Sequence, residues 1–193
     1  LKNLKGYGKS INRCIKEASG EYIGIVESDD WIAPDMYEKL YKEAVLHKAD
    51  IAKCGFWFAY DDLKQNNFVK FVEKNKTFTL TQYPEAILFR QTIWSAIYKR
   101  DFLIKNKIYL CEERISYIDA PFQAESFFKA NKIAGITDPL YFYYQQNPSQ
   151  SMADNKRFAT DGIKVKEIML NKISSQYLVD KRVKAAYLYH ICR

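Results

Sequence analysis

Between Gly20 and Pro34 the chain reads Gly-Glu-Tyr-Ile-Gly-Ile-Val-Glu-Ser-Asp-Asp-Trp-Ile-Ala-Pro, a short apolar run that ends in three carboxylates, Glu27, Asp29 and Asp30. Glu21 to Val26 is rich in Ile, Val and Tyr and nearly all apolar, which predicts a central strand covered on both faces. Pro34 then fits the first turn of a helix through about His47, with Met36, Leu40, Ala44 and Val45 roughly on one face. The order strand, acidic loop, helix is the repeating unit of an open α/β sheet. Such sheets bind ligands outside the carboxyl ends of their strands, where this cluster sits. Hard oxygen donors suit Mg²⁺ or Mn²⁺, and a diphosphate held by such a metal is a natural ligand. An acidic turn in which Asp29 or Asp30 caps the following helix satisfies the same spacing.

The flanking segments extend the alternation. Gly6-Tyr-Gly-Lys-Ser10 leads from a Gly-punctuated loop into a helix that Ser10 can cap, with Ile11, Ile15 and Ala18 on one side. Although Gly-Lys-Ser before a helix suggests a phosphate loop, that motif needs Gly where Asn3 stands and a strand before it. Asp50 to Tyr60 and Phe68 to Val72 read as strands around a polar turn, Thr81 to Arg90 as a helix, and Ile93 to Tyr98 as extended. Asp119-Ala-Pro-Phe122 opens another helix, and Ile133 to Tyr144 returns as strand around a Thr137-Asp-Pro turn. From about Ala159, Ile163, Ile168, Leu170, Ile173, Tyr177 and Leu178 mark amphipathic helices that also carry Lys164, Lys166, Lys172, Lys181, Arg182 and Lys184.

With 193 residues, 48% of them hydrophobic, the chain is long enough to bury a sizeable core. A formal charge of +7 suits an anionic partner without choosing among nucleic acid, nucleotide and membrane surface. No nucleic-acid motif is present, and the acids cluster where phosphates would need cations, which weighs against nucleic acid. Cys14, Cys54, Cys111 and Cys192 are scattered and His47 and His190 stand apart, so neither a zinc site nor a disulfide framework is indicated. No run approaches the roughly 18 apolar residues of a membrane span.

Two further features carry chemistry. Asp119 reads most simply as the N-cap of its helix, yet a carboxylate fixed there could also serve as a general base. Donors that favour its ionised form would lower its pKa, so the two roles compete. Trp31, Trp57 and Trp94, with Leu140-Tyr-Phe-Tyr-Tyr144, could stack on sugars or bases, or simply belong to the core and its rim.

The run Gly8…Asn12…Ile15…Ala18-Ser-Gly-Glu-Tyr-Ile…Glu27-Ser-Asp-Asp-Trp-Ile-Ala-Pro-Asp-Met36 resembles the central block of family 2 glycosyltransferases of the GT-A fold. Trp94-Ser-Ala-Ile-Tyr-Lys-Arg-Asp-Phe102 resembles that family's W-N-x-L-Y-x-R segment, Ile118-Asp119-Ala-Pro-Phe122 its E-D-x-x-F, and Pro139-Leu-Tyr-Phe-Tyr143 its P-L-Y-x-Y strand. Four ordered blocks are far more specific than one motif. The resemblance implies an α/β fold with a Rossmann-like mixed sheet flanked by helices. It also implies inverting transfer from a nucleotide-sugar, with a UDP-sugar favoured, to a glycan or lipid-linked acceptor in surface polysaccharide or glycoconjugate synthesis, with Mg²⁺ or Mn²⁺. By position, Asp119 would be the general base, Asn12, Glu27, Asp29 and Asp30 would bind the donor, and Asp30 would hold the metal. Trp31 and Trp94 would lie on the acceptor side.

Three departures follow. Glu27 stands where Asp is usual, Ile118 replaces a Glu, and the family's opening β-α-β units, with the acidic residue that recognises the base, are expected to be absent from this sequence. The expectation is therefore a truncated GT-A core over 1–151 and a basic helical extension over 152–193. A central strand left without partners makes self-association, and weak or absent activity of the 193-residue chain alone, further expectations. A cytoplasmic location, with peripheral contact at the inner membrane face through the basic helices, completes the reading. The alternative is a non-catalytic nucleotide- or carbohydrate-binding remnant of the same fold.

Overall fold

The computed structural model describes residues 6–147, 155–173 and 175–192. Its elements in chain order are α1 (Tyr7–Glu17), β1 (Tyr22–Gly24), β2 (Trp31–Ile32), α2 (Met36–His47), β3 (Ile51–Ala59), β4 (Asn67–Val69), β5 (Lys76–Phe78), β6 (Ala96–Lys99), α3 (Arg100–Lys105), α4 (Asp119–Lys129), β7 (Ile133–Tyr144), α5 (Asn155–Lys172) and α6 (Lys181–Cys192). The strands form one mixed sheet in the order β1-β6-β3-β7-β2, with β4 added to β3 and β5 to β7. Only β3 and β7 pair in parallel among the described strands; the other pairings are antiparallel.

The sheet is built around β3, whose residues Ile51 to Phe56 are all buried, as a strand covered on both faces requires. On one side α2 packs through Met36, Leu40 and Ala44, spaced four residues apart and inaccessible to solvent. Val45, expected on that face, is exposed, because one further residue turns a helix by about 100°. Aromatic rings fill the other side: Phe56 meets Trp94 and Phe89 edge-on, and Phe71 meets Phe89 and Phe127.

Several boundaries differ from expectation for local reasons. The strand expected over Glu21 to Val26 shortens to three residues, and among the described strands β1 pairs only with β6, at the sheet's margin rather than its centre. Ser10 does not cap α1: the helix begins at Tyr7, and Ser10 Oγ donates to the carbonyl of Gly6. Thr81 to Arg90 contains only a short 3-10 helix, Pro84–Leu88, which Pro84 opens and the extended Phe89 ends. No turn interrupts Ile133 to Tyr144; the Thr137-Asp-Pro segment is absorbed as an irregularity of register against Lys53 to Phe56.

The last helices close the structure against α4. Val165, Met169 and Ile173 of the α5 segment and Val183, Tyr187 and Ile191 of α6 are buried. Glu125 of α4 is also buried and accepts from Lys129 Nζ and Lys172 Nζ, each at 2.7 Å, tying α5 to α4. The boundary expected near 151/152 lies outside the described residues, as do Leu1 to Lys5.

Candidate active site

The 27–30 turn leaves β1 and is closed by the Asp30 amide, which donates to the Glu27 carbonyl at 3.2 Å. Each acid it presents already has a partner from the protein. Asp30 Oδ2 accepts from the Tyr141 hydroxyl at 2.7 Å, and Oδ1 accepts from the Tyr144 amide at 2.9 Å. Asp29 Oδ2 accepts from Asn147 Nδ2 at 2.8 Å, and Glu27 accepts a short bond from the Tyr7 hydroxyl. Tyr141 is the hub, because its hydroxyl also accepts from the Glu27 amide at 3.1 Å. Neither Asp29 nor Asp30 caps α2, whose N-cap Asp35 makes no side-chain cap bond either. The carboxylates are thus aimed by the end of β7 rather than spent on a helix.

Asp119 comes from α4 and lies near enough to Glu27 to feel its charge. It is the first residue of α4, not its N-cap: Ile118 occupies that position in helical conformation, and no side chain caps the helix. The backbone amide of Ile93 instead lies near enough to the Asp119 carboxylate to favour its ionised form. The loop before it is held at three points. Gly8 of α1 lies so close to Cys111 that a Cβ there would fall 2.0 Å from its carbonyl oxygen, so only glycine fits. Four residues on, Asn12 pairs with Leu110 as a strand neighbour would: Oδ1 accepts from the Leu110 amide and Nδ2 donates to its carbonyl, both at 2.9 Å. Asp161 Oδ2 accepts from the Ser116 amide at 2.8 Å. Tyr117 is left-handed, with φ 60°, a conformation unusual for a bulky residue and typical of backbone strained at functional sites.

The acids raise one another. Burial pushes Asp119 up to about 7, and the nearby Glu27 charge adds to this, while Lys53 and the Ile93 amide oppose it. Burial likewise raises Glu27, against the bond from Tyr7, with Asp30 and Asp29 adding to the rise. Burial raises Asp30 too, against the bonds from Tyr141 and Tyr144. A cluster of part-buried acids, raised by burial and further by one another, favours a bound cation and provides one carboxyl poised to exchange a proton near neutral pH.

The other expected residues fall in different places. Asn12 is buried, with its amide engaged by Leu110 and, at 3.2 Å, by Glu112 Oε1. Trp94 is largely buried and stacks on Tyr141 at 4.2 Å, beneath the acids. Trp31, 44% exposed, pairs with Phe142, the neighbour of Tyr141, and alternation along β7 therefore puts it on the opposite face of the sheet. There Trp31, Phe142 and Trp57 stack in nearly parallel planes across β2, β7 and β3. Sequence reasoning missed Tyr7, Tyr141 and the Ile93 amide; alternation within Tyr141-Phe-Tyr143 was the signal that one set of these rings shares the acidic face.

Among the described residues no three His, Cys, Asp or Glu side chains converge as a ready metal cage. Asp29 and Asp30 nevertheless retain acceptor capacity, since an ionised carboxylate has about four lone-pair sites and the bonds described above use only one or two. One or two carboxylates completed by phosphate oxygens and water are the usual protein share of a Mg²⁺ site, so the residues fit such an ion.

The sequence model of glycosyl transferase family 2 matches residues 1–106, more than half of the chain. The chain belongs to this family. It is 27% identical over 150 residues to the uncharacterized glycosyltransferase EpsJ of Bacillus subtilis (strain 168), covering 75% of this chain and 43% of that protein. Over 156 residues it is 30% identical to glycosyltransferase GlyG of Streptococcus pneumoniae serotype 4 (strain ATCC BAA-334 / TIGR4), covering 76% and 51%. The chain spans about half the length of the curated relatives it matches. The crystal structure of S. aureus TarS 1-349 in complex with UDP-GlcNAc superposes with a TM-score of 0.71 at 22% identity, covering 97% of this chain and 53% of that one. That likeness shows the fold of this family 2 chain to be of the GT-A type, with the mixed sheet and flanking helices expected from the sequence.

Proposed function

We propose that this chain carries the acidic and general-base machinery of an inverting, nucleotide-sugar-dependent glycosyltransferase. The observation that carries the reading is Asp119, a carboxyl held near neutral pKa, opposite a turn of acids fixed by Tyr7, Tyr141 and Tyr144. In the proposed reaction the Asp119 carboxylate accepts the proton of the acceptor hydroxyl as its oxygen bonds to the anomeric carbon. The bond from that carbon to the diphosphate oxygen breaks, and the nucleoside diphosphate leaves with the electron pair. Asp30, with Asp29, would hold Mg²⁺ or Mn²⁺, which when bound neutralises the charge of the leaving diphosphate. Glu27 lines the donor side, with Tyr7 orienting it. Trp94 supports Tyr141 from below, and Asn12 serves the site by fixing Leu110 and the loop to Asp119. Trp31, expected on the acceptor side, stacks with Phe142 on the face of the sheet away from Tyr141 and is given no part in this reaction.

A UDP-sugar is the proposed donor, supported by the fold shared with TarS, whose structure was solved with UDP-GlcNAc. A surface polysaccharide or lipid-linked glycan is the proposed product class. A screen of UDP-, GDP- and CMP-sugars with Mg²⁺ or Mn²⁺, reading nucleoside diphosphate release, tests this. Metal-dependent binding of a donor with no release under any acceptor would favour the non-catalytic remnant instead.

Two attributes of location and assembly belong to the same proposal. Among the described residues no helix is long and apolar enough to cross a membrane. Exposed Lys164, Lys181, Arg182 and Lys184, beside exposed Ile163, Leu188 and Tyr189, support peripheral contact of a cytoplasmic enzyme with anionic lipid. Absence of binding to vesicles rich in phosphatidylglycerol would discard that contact. The outer edge of β1, unpaired among the described strands, supports self-association of the 193-residue chain, which a monomeric sedimentation profile would contradict.

A further inference from the structure

Lys53 lies on β3 with no solvent exposure, and among the described residues no carboxylate pairs with it. Its ammonium donates to the Thr92 carbonyl through a short bond, and to Thr92 Oγ1 and Ser95 Oγ at 2.8 Å. The rings of Phe71 and Phe89 flank it at 5.8 and 5.4 Å. All three donor protons of the ammonium therefore have partners, and all point into a single turn, Thr92-Ile-Trp-Ser95. A lysine is strongly hydrated, and burying one is costly unless the site compensates it. An apolar residue of the same volume would fill β3 without that cost.

The turn held by Lys53 is the one that reaches Asp119. Its Thr92 amide donates to Gln123 Oε1 at 3.1 Å, one helical turn after Asp119 on α4, and its Ile93 amide lies near enough to the Asp119 carboxylate to favour the ionised form. Thr92 Oγ1 and Ser95 Oγ also bond to each other at 2.7 Å. Thr92, Ser95 and Gln123 are all buried. The turn is thus clamped between β3 and α4.

We propose that Lys53 is a positioning residue for Asp119: it locks the Thr92–Ser95 turn so that the Ile93 amide meets the carboxylate. This rests on the reading of Asp119 as the base. Burial pushes Lys53 down to about 7, with Cys54 and Asp119 opposing that fall, while Lys53 in turn opposes the rise of Asp119. The other titratable groups facing Asp119 are Glu27 from the acidic turn, Tyr7 of α1, Tyr98 of β6 and Tyr143 of β7. Each is anionic or neutral, which leaves Lys53 as the cation among the groups named. Without it, Asp119 beside Glu27 would hold its proton to higher pH and be a poorer acceptor at neutrality.

The test is a ¹³C NMR titration of the whole chain labelled at the aspartate carboxyls, with Asp119 assigned by its loss in Asp119→Asn. Lys53→Met should raise the Asp119 midpoint by about one pH unit, tenfold in its ionisation constant, and speed hydrogen exchange at the Ile93 amide. Lys129→Met, which removes a cation bonded to Glu125 on the same helix, should leave that midpoint in place. An unmoved midpoint or unchanged Ile93 exchange in folded Lys53→Met would overturn the proposal. Should Lys53→Met not fold, reciprocity supplies a second arm: Asp119→Asn should lower the Lys53 midpoint by a similar amount in lysine-labelled protein. An identical Lys53 midpoint in both proteins would overturn it equally. Neither arm needs a substrate, so an Asp119→Asn enzyme that still transfers sugar would remove the base reading and leave the coupling standing.

Discussion

Asn12→Ala separates a residue that binds the donor from one that builds the site. The Asn12 side chain supplies both halves of a backbone pairing to buried Leu110, and its removal orphans one N–H and one C=O. An unsatisfied buried polar group costs about 1–3 kcal/mol, and two groups that water entering the vacated space can partly reach should cost about 3 kcal/mol together. For a chain of this size each kcal/mol lowers Tm by roughly 2–4 °C, so the expected fall is about 6–12 °C. Urea unfolding followed by tryptophan fluorescence would give the same loss as a lower midpoint at unchanged slope. UDP affinity should fall little, because no donor contact has been removed. A stability change under about 0.5 kcal/mol together with a large loss of UDP binding would refute the reasoning and return Asn12 to the donor side.

Three further substitutions probe charge inside the fold. Asp119 has a native pKa of about 7 against about 3.9 unfolded, so the native state holds its proton more tightly. Its favourable contribution is complete below the unfolded value and disappears as pH rises through 7. Asp119→Asn should therefore stabilise the protein by on the order of 2 kcal/mol at pH 8, after discounting for its partial exposure, and by much less at pH 4. Thermal melts at the two pH values check this, and destabilisation at pH 8 would mean the carboxylate supports the helix after all. Glu125→Gln should cost about 2 kcal/mol in urea unfolding, less than a wholly buried pair because Lys129 and Lys172 reach solvent, while Lys172→Met should cost less than Glu125→Gln. Equal stability of Glu125→Gln and wild type would show that the two lysines need no anion.

The buried elements were legible because apolar patterning and burial are the same fact seen twice. Met36, Leu40 and Ala44 announced the inner face of α2, and Asp50 to Tyr60 announced a strand, although the strand covered on both faces proved to be this one and not Glu21 to Val26. Boundaries were less legible where tertiary contact overrides local preference: Pro139 within β7 reads as a breaker, but parallel pairing with β3 carries the strand through it. The acids of the site were visible as a cluster, whereas their holders were not. Tyr7, Tyr141 and Tyr144 come from α1 and β7, more than a hundred residues apart, and nothing local in a tyrosine marks it as a carboxylate partner. Asp119 was visible as a helix opener, yet its pKa is raised by burial and by the nearby Glu27, against Lys53 and Ile93, and only folding brings these about. Asn12 illustrates the converse, since a polar side chain within a family motif proves to serve the backbone of Leu110.

The central claim is that Asp119 takes the acceptor proton while the acids of the 27–30 turn serve the donor. The most direct measurement is the transfer rate of Asp119→Asn against wild type at saturating donor and metal, with donor affinity measured alongside by calorimetry. The expected result is a loss of roughly 10²–10⁴-fold in kcat, the usual weight of a general base, with donor Kd unchanged. Transfer at the wild-type rate by a folded Asp119→Asn enzyme would contradict the account.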